Sequence, residues 1–130
     1  MNEPGSKVEF APWPTVVAND DVELLELKYE AVERRLEAVL QRGGGRIVAR
    51  FSDVEAFRVL DEGGLTQLWA ASEDTPRPTH TTFRVRGHRW TAESEIIFHL
   101  GTSDGWSYVI ATGDDCIEVL TRAEPLVEHA

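Results

Sequence analysis

The sequence predicts an α+β domain, mainly an antiparallel sheet of about five strands with one or two helices packed against it. Three observations lead there. Trp106 to Pro125 contains two alternating segments joined by Gly113-Asp114. Arg46 to Phe51 alternates and is rich in β-branched residues. Two further stretches, Val22–Gln41 and Leu65–Ala71, are built of residues that a helix accepts.

The Trp106–Pro125 hairpin carries the most information. Gly113 at the first central position of a two-residue connection suits a type II′ turn, which needs positive φ there. Pairing Thr112 with Asp115 sets Ile110 opposite Ile117 and Tyr108 opposite Val119. Those four and Trp106 share one face, and Ser107, Val109, Ala111, Cys116, Glu118 and Leu120 share the other. The first face is assigned to the core, where each large apolar side chain contributes roughly 1.5–3 kcal/mol. A one-residue slip would turn Trp106, Tyr108 and Ile110 to water.

From the N-terminus, residues 1–19 hold Pro4, Pro12 and Pro14, which predict an extended arm. Its Phe10, Trp13, Val16 and Val17 are apolar enough to pack onto a single compact domain spanning 20–130. Val22–Gln41 fits two templates. As a helix, Val22, Leu25, Tyr29, Val32, Leu36, Val39 and Leu40 form an apolar stripe. As strands, Leu25, Leu27 and Tyr29 alternate with Glu26, Lys28 and Glu30, and Leu36, Ala38 and Leu40 alternate with Glu37, Val39 and Gln41. Propensity favours the helix, while the Gly43-Gly44-Gly45 turn into the Arg46–Phe51 strand favours the strands, which are the expectation. Phe51 to Leu60 continues as extended structure, Asp61-Glu62-Gly63-Gly64 breaks it, and Leu65–Ala71 suits a short helix. Ser72–His80 reads as a surface loop. After it, Thr82, Arg84, Arg86 and His88 alternate with Phe83 and Val85, so Arg84, Arg86 and Arg89 form a basic cluster.

Charge bears on function. Twenty-three Asp and Glu against thirteen Lys and Arg give a net charge of -10, which repels nucleic acid and anionic lipid and speeds encounter with a basic protein. One cysteine, no apolar leader and no stretch of about 20 apolar residues point to a soluble cytoplasmic chain without a disulfide. His80, His88, His99, His129 and Cys116 are scattered, so no metal site is expected, and no cofactor motif occurs. The triple glycine lacks the Lys-Ser/Thr of a phosphate loop. No catalytic constellation is complete: Cys116 has only His99 as a nearby base, and the pairs Glu93/Glu95 and Asp114/Asp115 need a cleft to act as acid and base.

FSDVEAFRVLDEGGL (Phe51–Leu65), Trp69, and GDDCIEVL followed by Glu124-Pro125 together resemble a group of small, mostly uncharacterised bacterial proteins, some of which look like immunity proteins of polymorphic toxin systems. The likeness covers about Leu25 to Pro125 and departs from the group's spacing at Gly101–Gly105. It implies successive strands before Phe51 and tight, non-catalytic binding to a cognate toxin, and it brings no catalytic residues. The expected function is therefore that of an acidic binding protein that neutralises a basic partner. A subunit of a larger assembly, or a small enzyme with a Cys/carboxylate site, is the alternative. The expected contact residues are the exposed carboxylates Asp61, Glu62, Asp114, Asp115 and Glu118, with Trp69 or Trp90 as aromatic anchor.

Overall fold

The structure, a computed structural model, describes residues 9–61, 81–86, 106–112 and 115–130. The described residues form two antiparallel sheets and contain no helix. The strands are β1 (Glu9–Pro12), β2 (Glu23–Glu30), β3 (Arg35–Arg42), β4 (Gly45–Phe51), β5 (Val54–Asp61), β6 (Thr82–Arg86), β7 (Ser107–Ala111), β8 (Asp115–Thr121) and β9 (Leu126–His129). One sheet has the order β1-β6-β7-β8-β5 and the other β2-β3-β4-β9.

Over the described residues the α+β expectation is thus corrected to all-β. Over 22–41 the chain makes the β2–β3 hairpin, closed at Arg34 in a left-handed conformation with φ 55°. Period two decides it. Leu36, Ala38 and Leu40 are at most 1% exposed, whereas Val32, which a helical stripe would bury, is 92% exposed. Sheet pairing overrides the helix propensity of Glu, Leu and Ala because the buried face of β3 meets β4 on one side and β2 on the other. The Leu65–Ala71 segment lies outside the described residues. The triple glycine is the β3–β4 turn: Gly43 has φ +55° while Gly44 does not lie in the positive region, as a type II′ connection requires.

The hairpin register is as expected, with Tyr108 opposite Val119 and Ile110 opposite Ile117, and the Thr112 amide donates to the Asp115 carbonyl at 2.8 Å. Gly113 and Asp114 themselves are outside the described residues. Ile110, Ile117 and Val119 enter a core shared by both sheets, together with Leu36, Ala38, Leu40, Ile47, Ala49 and Phe51 from the four-stranded sheet. Trp13, just beyond β1, plugs this core with its ring 4.9 Å from Tyr108 and 6.2 Å from Phe51, so the N-terminal arm is structural from Glu9 onward. The other face of the hairpin is buried too, since Phe83, Val85, Val109 and Cys116 form a second apolar cluster.

Among the described strands the chain passes from one sheet to the other between β1 and β2 and again at two tight corners, Ser52-Asp53 between β4 and β5 and Arg122–Pro125 between β8 and β9. The buried Thr121 hydroxyl fastens these corners together, donating to the Ser52 carbonyl while accepting from the Ala123 amide at 3.1 Å. That clasp is placed by Asp53, whose φ of 51° turns the chain sharply.

Candidate protein-binding seam

The edge strands β2 and β5 lie along the same side of the two-sheet stack. Tyr29 and Phe57 hold them together with ring centroids 4.9 Å apart, Arg34 donates to Glu55 at 2.9 Å, and the Val54 amide donates to the Arg34 carbonyl at 3.0 Å. β2 leads towards this Arg34–Glu55 end and β5 leads away from it. Along the seam, Leu25, Tyr29 and Val59 are 40–45% exposed. Both strands are eight residues long, and among the described residues neither has a ladder partner on its outer side.

A β-bulge shapes the charge on β2. Glu23 is paired with Gln41 and Glu26 with Val39, the register shifting between Leu24 and Glu26. Gln41 and Val39 are two residues apart and share the outer face of β3, so Glu23 and Glu26 share that face of β2. Without the extra residue they would point to opposite faces and one carboxylate would enter the core. The inner face carries Leu24, Leu27 and Tyr29, opposite Leu40, Ala38 and Leu36.

Ion pairing among the described residues leaves these carboxylates without cations. Arg34 is held by Glu55, Arg35 by Glu30, Arg42 by Asp20, Arg50 by Glu37 and Glu128, Arg58 by Glu118, and Arg86 by Glu9, at 2.6–3.1 Å. Asp21, Glu23, Glu26 and Glu33, all exposed, take part in none of these pairs. Six of the ten described Lys and Arg are thus engaged locally, and part of the acidic excess is presented on the β2 hairpin beside exposed apolar side chains.

The structure brings together two of the expected contact residues. Asp61, exposed, lies directly opposite the half-buried Asp115 in the β5–β8 ladder. Like charges in that position oppose sheet pairing. Glu118 is corrected: it is fully buried rather than an exposed carboxylate. Its Oε1 accepts from Arg58, whose Nε and terminal nitrogen both lie at 2.8 Å, and its Oε2 accepts from the Ser107 hydroxyl at 2.6 Å. The hairpin face that alternation did not assign to the core is buried as well, so this charge is internal. Glu62, Trp69, Trp90 and Asp114 lie outside the described residues.

Other chemistry is closed or already paired. Cys116 is buried, and burial, reinforced by the negative charge of Glu118, pushes its thiol up to about 12. His99, Glu93 and Glu95 are outside the described residues. Arg84 and Arg86 both stack on the Trp106 ring, 5.2 and 4.5 Å from its centroid, and Arg86 also holds Glu9; Arg89 is outside the described residues. A cleft of about 460 Å³ opens at the end of the four-stranded sheet between Lys28, Arg35, Glu37, Arg50, Glu124 and Leu126, with both arginines already paired. Among the described residues no three metal-ligating side chains cluster, and no helix is long and apolar enough to cross a membrane.

Leu25, Glu26 and Tyr29 were not among the contact residues expected from sequence. The alternation that places them on a strand is legible, but their exposure follows from β2 lying at a sheet edge, which only the strand order decides. No known protein family, curated protein or solved structure matches this chain.

Proposed function

We propose that this protein is a non-catalytic acidic binding protein that neutralises a basic protein partner, as an immunity protein neutralises its toxin in the cytoplasm. The observation that carries this reading is the seam: Glu23 and Glu26 stand without cations among the described residues, beside exposed Leu25 and Tyr29, while six arginines are engaged in ion pairs elsewhere. An apolar strip rimmed by carboxylates complements a basic surface with an apolar centre. Asp61 and Asp115, opposite each other on β5 and β8, add two further carboxylates. The resemblance of Phe51–Leu65 and the GDDCIEVL run to immunity-like proteins supports a toxin as that partner, and the buried, protonated state of Cys116 supports binding over nucleophilic chemistry.

The test starts from the neighbouring reading frame, which this reading expects to end in a small basic domain, and co-expresses that domain with the protein; a neighbouring frame without such a domain counts against a toxin as partner. Survival of the cells and a stoichiometric complex on a sizing column are expected. Continued toxicity in the presence of folded protein, with no complex, would overturn the proposal.

A further inference from the structure

The open edge of β2 has the chemistry of a strand acceptor. In an antiparallel pair, alternate residues turn their N–H and C=O groups away from the partner strand, so along the outer side of β2 these groups are presented as a ladder without a mate among the described residues. The bulge is confined to Leu24–Leu25, leaving Glu26–Glu30 regular and in unbroken register with Val39–Arg35. A strand added here would continue both faces of the four-stranded sheet. On the inner face it would meet Leu27 and the exposed ring of Tyr29; on the outer face it would meet Glu23, Glu26 and Lys28, while Glu30 is already held by Arg35 at 3.0 Å.

We infer that β2 accepts an extended segment of the partner as an added strand, a segment in which basic and apolar residues alternate. This rests on the reading of the protein as an acidic binder of a basic partner, and it specifies how the seam is used. The bulge sets the pattern: because it brings Glu23 and Glu26 to one face at two-residue spacing as seen from β3, the incoming strand places its cations two residues apart, and the residue facing Lys28 is neutral or acidic. Apolar residues on the other face of the incoming strand cover Leu27 and the exposed ring of Tyr29. A second copy of this chain is a poorer occupant, since it brings a further net charge of -10 and no excess of cations to Glu23 and Glu26. The mode is β-augmentation, in which the backbone ladder supplies affinity and alternate side chains supply specificity.

The experiment uses the full chain and two synthetic peptides of identical composition, one in which lysine alternates with valine at the positions facing Glu23 and Glu26 and threonine stands at the position facing Lys28, and one with the lysines gathered in a block. Affinities are measured at near-physiological salt, and amide hydrogen exchange is followed residue by residue. The alternating peptide is expected to bind about tenfold more tightly than the blocked one and to slow exchange at alternate amides of β2. Glu23→Lys/Glu26→Lys is expected to lose that binding and to gain binding of a peptide alternating glutamate with valine. Equal binding of both lysine peptides, binding without protection of β2, no binding at all, or a free protein whose outer β2 amides are already protected in a dimer would each overturn strand addition. The two readings separate with the toxin domain itself. If Glu23→Lys/Glu26→Lys weakens toxin binding but β2 amides stay unprotected in the complex, strand addition fails and the acidic-binder reading stands. If the toxin does not bind the unaltered chain, that reading fails as well.

Discussion

Glu118 and Arg58 face each other across the β5–β8 ladder, a fully buried carboxylate beneath a guanidinium that is 31% exposed, with two arginine nitrogens 2.8 Å from one carboxylate oxygen. Ser107 completes the set from β7, so three neighbouring strands of the five-stranded sheet are tied by one polar network. A buried ion pair is costly to form and more costly to break. Arg58→Met should therefore destabilise by about 3 kcal/mol, because it leaves the Glu118 charge buried without its partner. The double variant Arg58→Met/Glu118→Leu should be more stable than Arg58→Met alone, as removing both charges removes the uncompensated one. Denaturant midpoints of the two variants check this, and a double variant as unstable as the sum of the singles would contradict it.

The β3–β4 turn separates two adjacent glycines. Gly43 has φ +55°, and a β carbon added there would meet nothing within 4 Å, so Gly43→Ala carries a conformational cost alone, about 1 kcal/mol. Gly44 is equally open but does not have positive φ, and Gly44→Ala should be neutral or slightly stabilising through the unfolded chain. Thermal midpoints that fall for both variants equally would show that the turn is of another type.

Cys116 supplies a pH prediction. Its thiol is raised from the ordinary 9.0 to about 12 by burial in the folded state, so above pH 9 the unfolded chain releases a proton that the folded chain keeps. The unfolded state then binds fewer protons, and stability falls with rising pH between about 9 and 12, by up to about 1.4 kcal/mol per pH unit. Below pH 9 this group contributes no slope. Cys116→Ser should flatten the alkaline limb, and a thiol reagent should label the native protein at neutral pH only at the rate of unfolding. Rapid stoichiometric labelling under native conditions would contradict the burial of this thiol.

Salt dependence tests the seam. Exposed carboxylates act mainly on encounter, so raising ionic strength should slow association with the basic toxin domain more than it speeds dissociation. Glu23→Lys/Glu26→Lys should reduce the association rate by about tenfold at low salt and by less at high salt, where the Debye length is short. Association rates measured by stopped flow over a salt series give the comparison. A variant with unchanged rate at every salt concentration would remove Glu23 and Glu26 from the encounter surface.

Local sequence determined the pieces whose geometry is local. The Trp106–Pro125 hairpin, its register through Tyr108, Ile110, Ile117 and Val119, and the Gly43-Gly44 turn follow from side-chain alternation and from residues that tolerate special φ values. The net charge of -10 was equally legible, because it is a sum over residues and needs no fold. Tertiary structure decided the rest. Glu-, Leu- and Ala-rich composition favoured a helix over Val22–Gln41, and only pairing of β3 with β4 and β2, between two sheets that share a core, makes period two the buried one. Alternation placed Glu118 on the hairpin face opposite the one assigned to the core, yet that face is buried too and the carboxylate is an internal partner of Arg58, sixty residues away in the chain. The bulge that turns Glu23 and Glu26 to one side, and the strand order that leaves β2 at an edge, depend on long-range hydrogen bonding, which no window of neighbouring residues encodes.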